Sequence, residues 1–189
     1  MRIDHLAFRV ANSFKTTNFF KHALGYRNCP RIPKGFQVDF DDGTFAQCQV
    51  LIPPERIHQG MPWKILGNSS LKPLDRQIYY QPPEIFISEG SQGSIVDRWV
   101  KKHGNSLHHI ALQVPNINEV KHEWEREGGL GFASERVLLC PGLKQIFSEP
   151  DDLTGVIWEL IEREPDENGF CEENVRDLML STDAGYDGK

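Results

Sequence analysis

The chain has 189 residues, enough for one sizeable core or two small fused modules. Its hydrophobic share of 39% and charged share of 25% are those of a water-soluble globular protein, and its net charge of -6 argues against a nucleic-acid partner. No apolar run approaches the roughly 20 residues of a membrane span, and no signal-peptide core precedes the first element. The cysteines Cys29, Cys48, Cys140 and Cys171 are scattered and form no C-x-x-C pair, so the expectation is reduced thiols and a cytoplasmic location.

The chain opens on Ile3-Asp4-His5-Leu6-Ala7-Phe8-Arg9-Val10, which alternation reads as a strand with His5, Ala7 and Arg9 on one face. Asn12 or Ser13 caps a helix with Phe19, Phe20, Ala23 and Leu24 on its apolar side, and Gly25 ends it. Strands follow at 36–40 and 45–52, joined by the turn Asp41-Asp42-Gly43. Residues 53–83 hold half of the chain's prolines and read as an irregular insertion with some pairing near 77–80. Its Trp63, Tyr79 and Tyr80 either cover a cavity or pack on the outside. A strand at 84–88 and a Ser94-capped helix closing at Gly104 lead to Leu107-His108-His109-Ile110-Ala111-Leu112-Gln113-Val114.

This last stretch is a near copy of the opening strand, with His109 in the place of His5. A helix capped by Asn116 and stopped at Gly128-Gly129 comes next, then strands at about 132–139, 143–147 and 156–161, and a short terminal helix with Val175, Leu178 and Met179 inward. The expected fold is α+β: two βαβββ modules pairing into one curved, cup-shaped mixed sheet. Their spans are 1–52 for the first module, 53–83 for the insertion, 84–105 for its last strand and the linker helix, 106–163 for the second module, and 164–189 for the terminal helix and tail.

Strict alternation puts His109 on the cup's inner face and His108 on the other. On the last strand, Glu159 alternates with Trp158 and Leu160, and a carboxylate there is costly to bury unless paired or bound to a metal. A lone strand histidine is more often a hydrogen-bonded core residue than a ligand. Two at the same place in two repeats reverse that preference. His5, His109 and Glu159 together form the two-histidine, one-carboxylate set that leaves open positions on non-haem Fe(II).

Four stretches then carry a resemblance: Ile95 to Leu112, ending in His108-His109-Ile110-Ala111-Leu112; Gly142-Leu143-Lys144-Gln145-Ile146-Phe147; Trp158-Glu159-Leu160-Ile161-Glu162-Arg163; and Gly169-Phe170-Cys171-Glu172-Glu173-Asn174. With the paired modules they resemble the vicinal oxygen chelate superfamily, and most closely the C-terminal catalytic half of 4-hydroxyphenylpyruvate dioxygenase. The resemblance implies metal ligation by His5, His109 and Glu159. It implies substrate contact by Gln145, which also counts as catalytic, and by Phe147 and Phe170, with the terminal helix as a gate. A glutamine of the family is replaced by His108, its glycine-rich approach to the last helix is Gly169-Phe170-Cys171 here with one glycine missing, and its substrate-holding polar positions fall on Ala46, Ser88 and Ser94. These differences leave the metal site and put 4-hydroxyphenylpyruvate in doubt as the substrate.

Epimerases and glyoxalases of the superfamily use a fourth protein ligand, which here would be Glu84 or Gln49. Phe86 in that place would instead leave three ligands and favour O2 chemistry. The expected activity is thus a divalent-metal enzyme on a small oxygenated acid such as a 2-oxo acid. Fe(II) is favoured over Mn, Co, Ni or Zn, and O2 is the co-substrate in the dioxygenase reading. A glyoxalase- or epimerase-type isomerase or lyase is the first alternative, and a metal-free sequestering protein the second. A homodimer is compatible with either enzyme reading.

Overall fold

The computed structural model describes residues 1–54, 82–134, 136–164 and 170–184. Most of the proline-rich stretch, including Trp63, Tyr79, Tyr80 and the pairing expected near 77–80, lies outside the described residues, as does Gly169.

The elements run β1 (Arg2–Arg9), α1 (Ser13–Leu24), β2 (Arg27–Asn28), β3 (Phe36–Asp39), β4 (Phe45–Ile52), β5 (Glu84–Gly90), α2 (Ile95–His103), β6 (Ser106–Gln113), α3 (Ile117–Glu123), β7 (Leu138–Cys140), β8 (Leu143–Pro150), β9 (Ile157–Arg163) and α4 (Glu172–Ala184). The strands make one curved mixed sheet in the order β2-β4-β5-β1-β6-β9-β8-β7, with β3 paired to β4. The order is the same read outward from the middle. β1 pairs in parallel with β5, and β6 in parallel with β9. The two repeated strands meet antiparallel at the seam.

Local chemistry accounts for the helix ends. Asn12, Ser94 and Asn116 each accept a backbone N–H in the first turn of α1, α2 and α3. Gly25 ends α1 at a φ of 74°, and Gly43 makes the β3–β4 turn at 80°, conformations that a side chain would strain. After α3 the chain widens into a single π turn over Trp124–Gly128.

Alternation sorts the core into two layers. Leu6, Phe8 and Val10 pack with Leu51, Ile85 and Ile87 on the α1 side of the sheet. Ala7, Cys48, Val50 and Phe86 face α2 and α4 on the other, with Val175 and Met179. The expected apolar side of α1 is a correction: Phe20 packs on Phe8 and Tyr26, but Phe19 and Leu24 are exposed, and Ser13 and Thr17 are the buried positions. The sheet thus meets the edge of α1 that carries Ser13, Thr17 and Phe20.

Two further expectations change. The strand expected over 132–139 is a single bridge from Phe132 to Ser148 and the three-residue β7. The cysteines are not all thiols: Cys140 at the end of β7 and Cys171 just before α4 form a disulfide, with Cα atoms 6.5 Å apart, while Cys29 and Cys48 are free and buried. A separation of 31 residues in sequence carries no sign of that contact. No helix among the described residues is long and apolar enough to cross a membrane.

Candidate metal centre

The seam decides where side chains point. Across the step from Leu112 to Ile110 on β6, β1 runs from Ile3 to Leu6 and so carries one extra residue at Asp4-His5. Across the step Ala7–Phe8 on β1, β6 runs from His109 to Leu107, so His108 has no partner opposite. Both are β-bulges, which break the alternation and turn two consecutive side chains to one face. His108 therefore lines the inner cavity beside His109, a correction to the expectation that it points the other way.

His5 and His109 from the two sides of the seam meet Glu159, which sits on β9 level with Ala111. Glu159 Oε2 lies 3.0 Å from His5 Nε2 and 3.2 Å from His109 Nε2, and the two imidazole nitrogens are 3.2 Å apart. All three residues are buried. Two donors bound side by side at about 2.1 Å on an octahedral ion would be roughly 3.0 Å apart, and on a tetrahedral ion roughly 3.4 Å. The observed separations of 3.0–3.2 Å fall between these two values, so all three donors can reach a single ion.

The surrounding groups hold each donor in place. Asp4 Oδ1 is 2.9 Å from His5 Nδ1. Arg163 donates to Asp4 through Nε at 3.1 Å and Nη2 at 3.0 Å, a two-pronged buried pair. Gln145 Nε2 donates to Glu159 Oε1 at 2.6 Å and its carbonyl accepts from Asn174 Nδ2 of α4 at 3.0 Å. Gln145 is thus tied to both the carboxylate and the covering helix. The ring of Phe170 packs edge-on to His5 at 4.9 Å, and that of Phe147 lies 4.6 Å from His109.

Charge is distributed unevenly. Burial pulls His5 down, but Glu159 and Asp4 on either side outweigh it and raise the imidazole from 6.5 to about 9. Burial dominates at His109 and lowers it to about 4, despite Glu159. Burial would raise Glu159, yet the charge of His5 and the hydrogen bonds of His109 and His5 bring it to about 2. Asp4 is held well below the usual carboxylate range, because hydrogen bonds from His5 and Arg163 outweigh its burial. Burial, then the charges of Arg9 and its neighbouring histidines, keeps His108 far below its ordinary value and hence neutral.

The cavity in front of these groups, counted with its open mouth, takes in about 390 Å³. Phe86, Phe147, Phe170, Val175, Leu178 and Met179 make its apolar walls; Arg9, Ser88 and His108 are polar. Neither of the two candidates for a fourth donor joins the cluster. Gln49 alternates to the outer side of β4 and donates to the Lys34 carbonyl at 3.1 Å. Glu84 stands level with His5 at the start of β5, its carboxyl raised by burial and by the charge of Asp4, but it does not converge with the three donors. Phe86 lines the cavity instead, its ring 5.0 Å from that of Phe170. A second group among the described residues, Cys140, Cys171 and Glu173, has its sulfurs committed to the disulfide.

Asp4, His108, Arg163 and Asn174 were not singled out as site residues by sequence reasoning. The signal for the first two was present: Asp4-His5 and His108-His109 are polar pairs inside strands whose faces should alternate, at the same place in both repeats.

No family model matches the chain, and no curated protein matches it by sequence. Solved structures do. A mutant of 4-hydroxymandelate synthase from Streptomyces coelicolor superposes with a TM-score of 0.67 at 15% identity, over 100% of this chain and 54% of that one. Methylmalonyl-CoA epimerase from Mycobacterium tuberculosis gives 0.56 at 18% identity, covering 87% and 89%. A hypothetical protein from Bacillus halodurans gives 0.57 at 18%, covering 89% and 98%.

Proposed function

We propose that this chain, which has the vicinal oxygen chelate fold, is a divalent-metal-dependent enzyme acting on a small oxygenated acid, and that its reaction is of the non-haem Fe(II) dioxygenase type. The observation that carries the reading is the donor count. Among the described residues three buried donors converge, neither Glu84 nor Gln49 joins them, and Phe86 lines the cavity on the neighbouring strand. The 4-hydroxymandelate synthase likeness, which spans the whole chain, supports it as well.

His5, His109 and Glu159 would hold the ion, and when bound it would supply Lewis acidity and, as Fe(II), electrons for O2. Every other part of the task falls to the chain. His5 gives up its Nε2 proton so that the lone pair is available. Gln145 fixes Glu159 through Oε1 and leaves Oε2 facing the imidazoles. Phe147 and Phe170 wall the cavity against water and suit the apolar tail of a 2-oxo acid. α4 covers the cavity with Val175, Leu178 and Met179, and its displacement would admit substrate.

The isomerase or lyase reading is kept alive by the epimerase likenesses and by Glu84 close by. The test is anaerobic loading with Fe(II), then two assays on a panel of 2-oxo acids. O2 consumption without solvent deuterium entering the carbon next to the carbonyl is the expected outcome. Deuterium entry without O2 uptake would select the isomerase or lyase. Failure of both, in protein that retains no ion, would leave a sequestering protein.

A further inference from the structure

Asp4-His5 and His108-His109 are one device made twice. In each, a bulge interrupts the alternation beside a histidine, and the first residue reaches Nδ1 of the second: Asp4 Oδ1 at 2.9 Å from His5, and His108 Nδ1 at 2.8 Å from His109. The copies differ in what the first residue can do. An ionised carboxylate only accepts. A neutral imidazole accepts at one nitrogen and donates at the other, and its neighbour decides which.

Glu159 Oε2 and His109 Nε2, 3.2 Å apart, share either a proton or a cation. With a proton, His109 Nε2–H donates to Glu159, its bare Nδ1 accepts from His108 Nδ1–H, and His108 Nε2 is left a bare acceptor. With a cation, His109 Nε2 gives its lone pair to the ion, so its proton sits on Nδ1 and donates to His108 Nδ1. The proton of His108 then sits on Nε2. In going from the first arrangement to the second, His109 Nε2 releases one proton to solvent as the ion takes its place, one crosses between the two Nδ1 atoms, and His108 Nε2 takes up one from solvent, so the two rings hold two protons in both. Both rings stay neutral throughout.

The far nitrogen of His108 is the end of this chain of bonds. It is buried and has no hydrogen-bond partner among the described residues. The residue is 5% exposed and lines the cavity, with the ring of Trp99 packed edge-on at 4.6 Å. A buried polar atom without a partner, on a residue that lines the cavity, is one that a bound molecule or an ordered water would satisfy.

Building on the metal reading above, we propose that His108 is a tautomer relay: loading of the His5–His109–Glu159 site turns His108 Nε2 from an acceptor into a donor. His108 is then a positioning residue for His109 and a specificity residue for substrate. The loaded cavity offers an N–H to a carbonyl, carboxylate or phenolate oxygen, and the unloaded cavity disfavours such an oxygen. Ion binding thereby precedes and promotes binding of an oxygen-acceptor ligand.

The test is nitrogen-15 NMR of the full chain labelled at its 7 histidines, with and without Zn(II), a diamagnetic ion suited to the same donors. Zn(II) should move the protonated nitrogen of His108 from Nδ1 to Nε2 while His109 ligates through Nε2. His108→Gln keeps an acceptor for His109 and should bind Zn(II) within about threefold of the parent, whereas His108→Phe should bind roughly ten- to a hundredfold more weakly. If His108→Phe does not fold, the spectra of the parent decide alone. Zn(II) shifting His5 and His109 while His108 keeps its proton on Nδ1 would overturn the relay and leave the metal reading standing. Zn(II) leaving His5 and His109 unmoved would overturn both.

Discussion

His5 is the residue on which most forces in the cavity meet. It faces Glu159 through Nε2 and Asp4 through Nδ1, so in the absence of an ion it holds a proton at each. Its value of about 9 in the fold lies above its ordinary 6.5. The resulting stabilisation of the ion-free protein is complete below about pH 6.5 and is lost as the pH rises through 9. An ion must displace that proton, so apparent affinity should rise about tenfold per pH unit up to that value and then level off. Calorimetric titration with Zn(II) in buffers of different ionisation enthalpy measures the released proton directly. Asp4→Ala would strip the buried Arg163 of a two-pronged partner and should cost about 3 kcal/mol in urea unfolding. At this scale the sequence was informative wherever one rule held without exception. Alternation and the repeat put His5, His109 and Glu159 on one face, and the structure brings the three together. They failed at Asp4 and His108, because a bulge adds a residue to one strand and not to its partner, and nothing in a single strand says which residue is extra. They left Glu84 and Gln49 open, because whether a side chain faces inward depends on pairing register.

Among the elements, α4 has the most at stake. It contributes Val175, Leu178 and Met179 to the cavity, Asn174 to Gln145, and the Thr182 hydroxyl to Arg9 at 3.2 Å. The disulfide to β7 anchors its leading end. Loss of a crosslink closing a 31-residue loop costs about 3–4 kcal/mol on the chain-entropy estimate. Treatment with a dithiol reductant, or Cys140→Ser, should therefore speed amide hydrogen exchange throughout α4 while β1 and β6 remain protected. Equal protection in α4 before and after reduction would show that its packing alone suffices. The inward positions of α4 were legible in advance because Val175, Leu178 and Met179 follow helical spacing. The apolar side of α1 was not, since Phe14, Phe19 and Leu24 stay exposed. Apolar spacing identifies a helix, but the sheet chooses which edge of it to bury, and here it took Ser13, whose hydroxyl and N–H both donate to Glu89 at 2.7 Å.

For the molecule as a whole, the donors bridge the seam: His5 comes from one half of the sheet, and His109 and Glu159 from the other. An ion bound there joins the halves and adds RT ln(1 + [ion]/Kd), about 2.7 kcal/mol at a hundredfold excess over Kd, or roughly 5–10 °C in melting temperature. Scanning calorimetry with Zn(II) should show that gain in the parent and not in Glu159→Gln. The architecture was readable from the duplicated strand, because a unit made twice has few ways to close a sheet. The edge strands were not, since β2 and β7 owe their existence to the neighbours they lie against. The place of β1 has a last consequence, in time rather than in space. The first strand along the chain lies at the sheet's centre, and its two neighbours come about 80 and 100 residues later. No early fragment can hold all three donors, so an ion can bind the full set only after both halves of the sheet have met. Stopped-flow mixing should accordingly find refolding slow and indifferent to Zn(II), and unfolding retarded by it.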